Sequence, residues 1–446
     1  MRITLIFPGI TIDGFTRNRT RPKTGWIHHG LCSISASLKQ AGHEVSLIDL
    51  RGLFGWYELP HALRKLRPDV VGITMMSLDF NPALKSAEIV RKTLPHAKII
   101  MGGAHPSLMS DELTDNSHVD YIFRGEAEET LPLVIEDLRS GKTDMRVLDG
   151  SHPDLDVIPF PDRSLFSVLE APIVPFLKMP FITAIAGRGC AYNCSFCQPA
   201  EKKIFGRTVR RMSPARFVEE LDRTRRDMGL NSLMIHDDCL LEDREWVHEF
   251  LRLYEEKKFR APFVCQGRAD IIAGHAGLIK DMRRSGLEMI LIGFESGSQR
   301  VLNFLRKGTR VEDNFKAAAI CRKLGIRVWA NFMLGIPTET KGEVLDTVRM
   351  IKKIRPYVAS PAFYTPHPGS DLFDYCRDNG LSLVTKHEDY RRNPEGAKIR
   401  GVDYDFLRGV LAETVRLPWS VRMKRKVDRL KLGHFNKDLI KSYEPR

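Results

Sequence analysis

The sequence predicts an α/β protein made of two successive parallel-sheet domains. Three observations carry that prediction. Strand-like and helix-like segments alternate from residue 1 to about 140, and again from 181 to about 370. Such alternation builds a parallel sheet with helices packed on it. Between the two stretches, Pro153, Pro159, Pro161, Pro172, Pro175 and Pro180 punctuate a segment that reads as a linker over 141–180. A cysteine cluster, Cys190-Ala-Tyr-Asn-Cys194-Ser-Phe-Cys197, directly follows the first strand of the second stretch.

The first stretch is expected to be doubly wound. Short apolar, β-rich runs at 3–7, 45–50, 70–74, 98–101 and 119–123 alternate with helical segments at 31–40, 58–66, 81–94 and 126–138. Gly42 closes the first helix, and Pro68 and Pro95 stand just past the second and third. Ligands of open parallel sheets bind at the carboxyl ends of the strands. The loops there are 8–29, Thr74–Asp79, Gly102–Pro106 and Gly125-Glu126. No Gly-x-Gly-x-x-Gly follows the first strand, so a dinucleotide site is not expected.

The second stretch repeats strand, loop and helix about six times. Its strands are expected at 181–186, 232–236, 263–266, 289–293, 328–334 and 359–365, and its helices at 214–228, 243–257, 274–285, 311–324 and 341–354. Ser213-Pro214 supplies an N-cap followed by a first-turn proline. Polar residues stand at the strand ends: His236-Asp237-Asp238, Arg268, Glu295 with Ser298, and Gly335 through Glu339. Parallel barrels place their active residues there.

Gly187 and Gly189 let the chain bend into the cysteine loop. Three close thiolates suit an iron–sulfur cluster, zinc or Cu(I). A closed zinc site needs a fourth ligand, usually from a second pair. Cys32, Cys239, Cys265, Cys321 and Cys376 are scattered singly.

The Cys-x3-Cys-x2-Cys loop, with Phe196 before its third cysteine, resembles that of the radical S-adenosylmethionine (SAM) enzymes. Upstream, the segments Gly30–Val45, Gly72–Ser77, Gly102–His105 and Asp120–Glu126 resemble the cobalamin-binding domain fused ahead of many of them. Ile158-Pro-Phe-Pro-Asp-Arg163 is similar to the family's inter-domain segment. The similarity covers residues 1 to about 370. It implies a Rossmann-like (flavodoxin-like) cobalamin-binding domain over 1–140, a partial (β/α)6 barrel over 181–370 and a small, mostly helical, basic region over 371–446.

By the same resemblance, Cys190, Cys194 and Cys197 hold a [4Fe-4S] cluster whose open iron binds SAM. SAM contacts are then expected from Phe196, Asp237 or Asp238 at the ammonium, Arg268 at the carboxylate, Glu295 or Ser298 at the ribose, and Gly335 near the adenine. Cobalamin contacts are expected from Thr74, Ser77, Gly102, Gly103, His105, Gly125 and Glu126. The lower-axial signature Asp-x-His-x-x-Gly is absent. The implied reaction is reductive cleavage of SAM to a 5′-deoxyadenosyl radical. Its implied use is cobalamin-dependent methylation of an unactivated carbon in a small-molecule, natural-product or lipid substrate. The alternative is a non-methylating radical SAM enzyme with a vestigial first domain. The implied electron donor is a flavodoxin or ferredoxin.

Composition bounds the rest. A formal charge of +13 leaves room for a nucleic-acid-binding protein with structural zinc. The chain lacks the fourth zinc ligand and an aromatic-rich basic platform, so no nucleic-acid partner is expected. No run approaches the roughly 18 apolar residues of a membrane span. The start, Met1–Pro8, reads as a strand and not as a leader, and single scattered cysteines fit a reducing cytoplasm. Residues 416–446 carry ten Lys or Arg against three acids, interleaved with apolar residues. Such a helix can lie on an anionic membrane surface or pack on the barrel. No catalytic acid or base stands out; Tyr364, His367 and Cys376 are candidates beside the last strand.

Overall fold

The computed structural model describes residues 1–16, 25–141, 145–167, 170–197, 203–392, 394 and 396–414. Six strands form the first sheet: β1 (Arg2–Phe7), β2 (Glu44–Asp49), β3 (Val70–Thr74), β4 (Lys98–Gly102), β5 (Tyr121–Arg124) and β6 (Val147–Asp149). They are parallel throughout, in the order β2-β1-β3-β4-β5-β6. Strands buried on both faces carry nearly continuous apolar runs, and these do. Ile3, Leu5, Val70, Ile100 and Phe123 face helices His29–Gln40 and Thr130–Ser140. Their neighbours Ile6, Val71, Ile73, Ile99 and Ile122 face helices Leu59–Leu66 and Phe80–Thr93. The period of two thus splits one sheet between two cores.

Residues 141–180 do more than link. Val147–Asp149 joins the sheet as its sixth strand, with Leu148 buried and Arg124 paired to Asp149 at 2.7 Å. Among the described residues of this segment the only helical turn is the 3-10 turn Arg163–Leu165, but the prolines do not prevent burial. Phe166 enters the first domain's core, Leu155 and Ile158 the barrel's outer core, and Val174 and Leu177 its inner face.

The second sheet is β7 (Phe181–Ala184), β10 (Ser232–Ile235), β11 (Phe263–Gly267), β12 (Leu287–Glu295), β13 (Arg327–Leu334) and β14 (Val358–Phe363), all parallel and adjacent in chain order. A two-residue ribbon, β8 (Gly187–Arg188) with β9 (Arg210–Arg211), is inserted after β7. Phe181, Met234, Val264, Met289, Trp329 and Val358 fill the inner face. Alternate residues such as Ile182, Leu233, Cys265 and Ile290 meet the surrounding helices.

Those helices are Pro214–Met228, Arg244–Glu256, Val311–Lys323 and Lys341–Ile354, plus three short ones. Ser213 caps the first, and Thr340 with Glu343 forms a capping box on the last. The single helix expected at 274–285 is two, Ala269–Gly274 and Ala276–Arg284, broken at His275, whose backbone leaves the helical region (φ −129, ψ 54). Gln299–Phe304 adds an unexpected turn. The C-terminal region contributes helices Asp371–Asp378 and Tyr404–Thr414 and a tight turn at His387–Tyr390. The basic segment 416–446 lies outside the described residues. Among the described residues no helix is long and apolar enough to cross a membrane.

Polar contacts tie the first domain to the linker and to the barrel. Ser35 and Lys39 donate to Asp162, and His29 Nε2 meets Thr183 Oγ1 at 2.8 Å. Arg188 donates to Glu126 at 2.5 Å and to Glu128 at 2.6 Å.

Candidate active site

A cavity of about 360 Å³ lies where the two sheets meet. Half of it is an apolar slot inside the first domain. Ile3, Leu5, Val70, Gly72, Ile100 and Phe123 form its floor, one face of β1, β3, β4 and β5. Leu31 and Ile34 from one helix and Leu131 and Ile135 from another form its walls. The rest reaches the barrel, where Arg188, His236 and Asp238 add polar groups to a lining that includes Ile185, Phe205 and Met212, with Gly125 and Glu126 from the first domain. Burial pushes the imidazole of His236 down to about 4, and His28 likewise, so both are neutral near pH 7. Burial alone would raise the Glu128 carboxyl; Arg188 and the hydrogen bonds around it hold it lowered. The volume and the mixed lining are those of a cofactor site.

The cysteine loop starts at Gly189, at φ +91, where an added Cβ would stand 2.7 Å from the Thr208 carbonyl. Only glycine fits there. Ser195 ties the loop down. Its N–H donates to the Leu305 carbonyl at 2.9 Å, and its carbonyl accepts from the Leu372 N–H at 2.8 Å. Cys194 is buried, and Arg268 Nη1 lies 3.9 Å from its sulfur. The same guanidinium rests 3.5 Å over the Tyr192 ring and pairs with Asp270 at 3.1 Å. Lys307, nearly buried, pairs with Glu295 at 3.0 Å. Arg268 and Lys307 thus set two buried cations near Cys194.

Cys239 donates its thiol proton to Cys190 Sγ at 3.2 Å. That bond lowers the Cys190 thiol to about 7 and raises Cys239. Cys239 thus sits as a donor beside the loop and outside its spacing. Replacing Cys239 with Ala is expected to leave the iron content of reconstituted protein unchanged, as counted by elemental analysis. Loss of iron in that variant would show that three thiols are not the whole ligand set.

The structure sorts the expected contacts. Thr74, Gly102, Gly103, Gly125, Glu126 and Asp238 line the cavity. Ser77 and His105 do not: His105 is fully buried on the far side of β4, with Nδ1 3.0 Å from Ser77 Oγ. Gly103 is required by its neighbours more than by any ligand. At φ +106 an added Cβ would stand 2.9 Å from the Met75 backbone. Asp237 is buried and accepts from the Ala186 N–H at 2.7 Å, bracing the chain that enters the cysteine loop. Burial raises its carboxyl to about 7.

Ser298 caps helix Gln299–Phe304 and donates to Glu343 at 2.9 Å. Glu295, at φ +62, is held by Lys307. Gly335, at φ +74, donates its N–H to Glu339 at 2.8 Å. Phe196 packs against the apolar cluster that contains Tyr364 and Cys376. His367 is held neutral by burial, at about 3, with Arg392 Nε 3.4 Å away. Arg188, Glu128, Cys239 and Lys307 were not legible as site residues. Arg188 stands between two glycines just before Cys190, the one cue available.

The radical SAM superfamily model matches residues 185–351, and the B12 binding domain model matches residues 20–135. An uncharacterized methyltransferase of Pyrococcus horikoshii is 27% identical over 370 residues, spanning 80% of each chain. An anaerobic magnesium-protoporphyrin IX monomethyl ester cyclase of Cereibacter sphaeroides is 27% identical over 404 residues, 85% of this chain and 64% of that one. The hopanoid C-3 methylase of Methylococcus capsulatus is 26% identical over 376 residues, 81% of this chain and 70% of that one. Among solved structures, the radical SAM methyltransferase TsrM from Kitasatospora setae, with cobalamin and a [4Fe-4S] cluster bound, superposes with a TM-score of 0.68. It shares 16% identity and covers 97% of this chain and 99% of its own; at that identity the likeness is one of fold.

Proposed function

We propose, for a chain that belongs to the radical SAM superfamily and carries its B12-binding domain ahead of the barrel, that it is a cobalamin-dependent C-methyltransferase acting on a small-molecule substrate. One observation carries the reading: a single cavity joins the slot of the first domain to the strand ends of the barrel. When bound, the [4Fe-4S] cluster with SAM supplies a 5′-deoxyadenosyl radical, and cobalamin supplies a methyl group.

The chain's own residues do the rest. Cys190, Cys194 and Cys197 would hold the cluster. Arg268 and Lys307, each paired with a carboxylate, stand beside Cys194 and would bound the cluster on that side. Asp238 and Glu295 offer carboxylates at the ends of β10 and β12 for the ammonium and ribose of SAM. The slot floor on β1, β3 and β4 would take the tail of cobalamin. Arg188, gripping Glu126 and Glu128, fixes the distance between the two cofactor sites. A misplacement of about 1 Å between reacting groups costs on the order of a hundredfold in rate. The linker residues Val174 and Leu177 seal the inner face of the barrel against water. An electron donor of the flavodoxin or ferredoxin type would serve it.

The cyclase relative favours a second reading, a radical SAM enzyme that does not methylate. Product balance separates the two. Anaerobic protein with SAM, hydroxocobalamin, a reductant and candidate substrates is expected to give 5′-deoxyadenosine and S-adenosylhomocysteine together, with label from methyl-deuterated SAM in the product. Deoxyadenosine without S-adenosylhomocysteine would select the second reading; neither product under any condition would reject both.

A further inference from the structure

Three metal-binding side chains converge outside the cavity and the cysteine loop. His105 comes from helix Ala104–Leu108, Glu112 from the following 3-10 turn Ser110–Leu113, and His387 from the turn His387–Tyr390 of the C-terminal region. Their ligand atoms all lie within 4.8 Å of one another. His105 Nε2 is 3.6 Å and His387 Nε2 3.0 Å from the same Glu112 oxygen.

His105 is the informative member. Its side chain is wholly buried. Nδ1 is engaged by Ser77 Oγ at 3.0 Å, and Nε2 has no hydrogen-bond partner. At 3.6 Å Glu112 is too far to be that partner. A buried histidine whose Nδ1 is held by a second residue and whose Nε2, without a hydrogen-bond partner, lies beside two other ligand side chains has the set-up of a metal ligand.

The rest of the site is positioned too. His387 stacks on Phe80 at 3.8 Å and 6°, and His105 meets the edge of the same ring at 5.1 Å. Asn81 donates to Glu388 at 2.5 Å, pinning the turn onto helix Phe80–Thr93. Zinc–ligand bonds of about 2.0–2.2 Å in tetrahedral geometry put neighbouring ligand atoms about 3.4 Å apart. The two separations given above bracket that value. The side chains of Glu112 and His387 are 34% and 26% exposed, which leaves a path for the ion and room for water at a fourth position.

We propose that His105, Glu112 and His387 bind a divalent ion of the zinc class, which clamps the C-terminal turn onto the first domain. The ion joins positions 275 residues apart in sequence and holds the end of the chain that follows the barrel against the cobalamin-type domain. Two imidazoles and one carboxylate are the ligand set of open zinc sites.

The test uses full-length protein, anaerobically purified, with its cluster reconstituted and corrinoid bound so that the thiols are occupied. It is stripped of loose metal and titrated with Zn(II), and in parallel with Co(II), whose visible absorption reports its ligands. One zinc per chain is expected. Bound Co(II) should lack the intense thiolate charge-transfer band. Glu112→Gln is nearly isosteric and sits on a partly exposed side chain, so it tests the site without emptying a core. It and His387→Ala should each weaken zinc by at least about a hundredfold while iron and corrinoid stay at wild-type levels. No zinc held by the wild-type protein would overturn the proposal. So would equal affinity in Glu112→Gln, or a thiolate band on cobalt loading.

Discussion

Cys194→Ala is expected to strip the protein of its iron and of all SAM cleavage while leaving corrinoid binding intact. Cys194 is the most buried thiol of the loop, at 9% exposure, with Arg268 Nη1 3.9 Å away. Arg268 is already balanced by Asp270, and Lys307 by Glu295, so neither pair depends on the thiolate to stay folded. Removing one sulfur from the interior is a modest change, on the order of 1 kcal/mol in stability. The loop should therefore keep its shape, held by Ser195. What it loses is a ligand. A cluster on three protein thiolates that loses one should retain less than about a tenth of its iron, because thiolate is the ligand such clusters select. The slot residues belong to the other sheet, so added hydroxocobalamin should bind as in the wild type. Iron and sulfide analysis with corrinoid absorbance on one sample decides it. Full iron in Cys194→Ala would mean that another thiol substitutes, and Cys239, 3.2 Å from Cys190, is the one placed to do so.

How much of this was legible in the sequence depends on which physical property carried it. Periodicity and capping are local, so β3 at Val70–Thr74 and helix Lys341–Ile354, with its Thr340/Glu343 box, fall at the residues expected. β6 is an edge strand of three residues with one buried side chain, Leu148. That is too little pattern to stand out from a proline-rich segment. The thiol cluster is legible because its spacing is short-range. Arg188 is not, because what marks it is its pairing with Glu126 and Glu128, 62 and 60 residues away, and Lys307 is not, because its burial against Glu295 appears only once strand and helix are folded together.

Ser298 shows a different limit. A hydroxyl at a strand end suits a ribose and a helix N-terminus equally, and the fold uses it to cap Gln299–Phe304. His105 follows Gly102 and Gly103, and the resemblance placed it on the cofactor. The helix it sits on turns it to the opposite face of the sheet.

Gly72→Leu is expected to abolish tight corrinoid binding in a protein that still folds and still holds iron. Gly72 lies in the middle of β3, on the slot floor between Val70 and Thr74. A Cβ there would stand 3.0 Å from Leu5 Cδ2, the flexible end of a side chain, so Leu5 needs to give by only a few tenths of an ångström. Glycine weakens a strand, and a larger apolar residue pairs better, so the unliganded domain should be no less stable. Gly103 offers no such test, since its added Cβ would strike the Met75 backbone at 2.9 Å and disturb the fold itself. The leucine side chain at position 72 would occupy the slot between helices His29–Gln40 and Thr130–Ser140, where the tail would lie. Overpacking of this kind costs about 1–3 kcal/mol, which converts to roughly 5- to 150-fold weaker binding. The measurement is corrinoid retained after desalting, set against melting temperature and iron content. Wild-type affinity in Gly72→Leu would move the tail out of the slot. If the wild-type protein itself retained no corrinoid at saturation, the slot would be a relic of the fold, and the non-methylating reading would take the place of the methyltransferase.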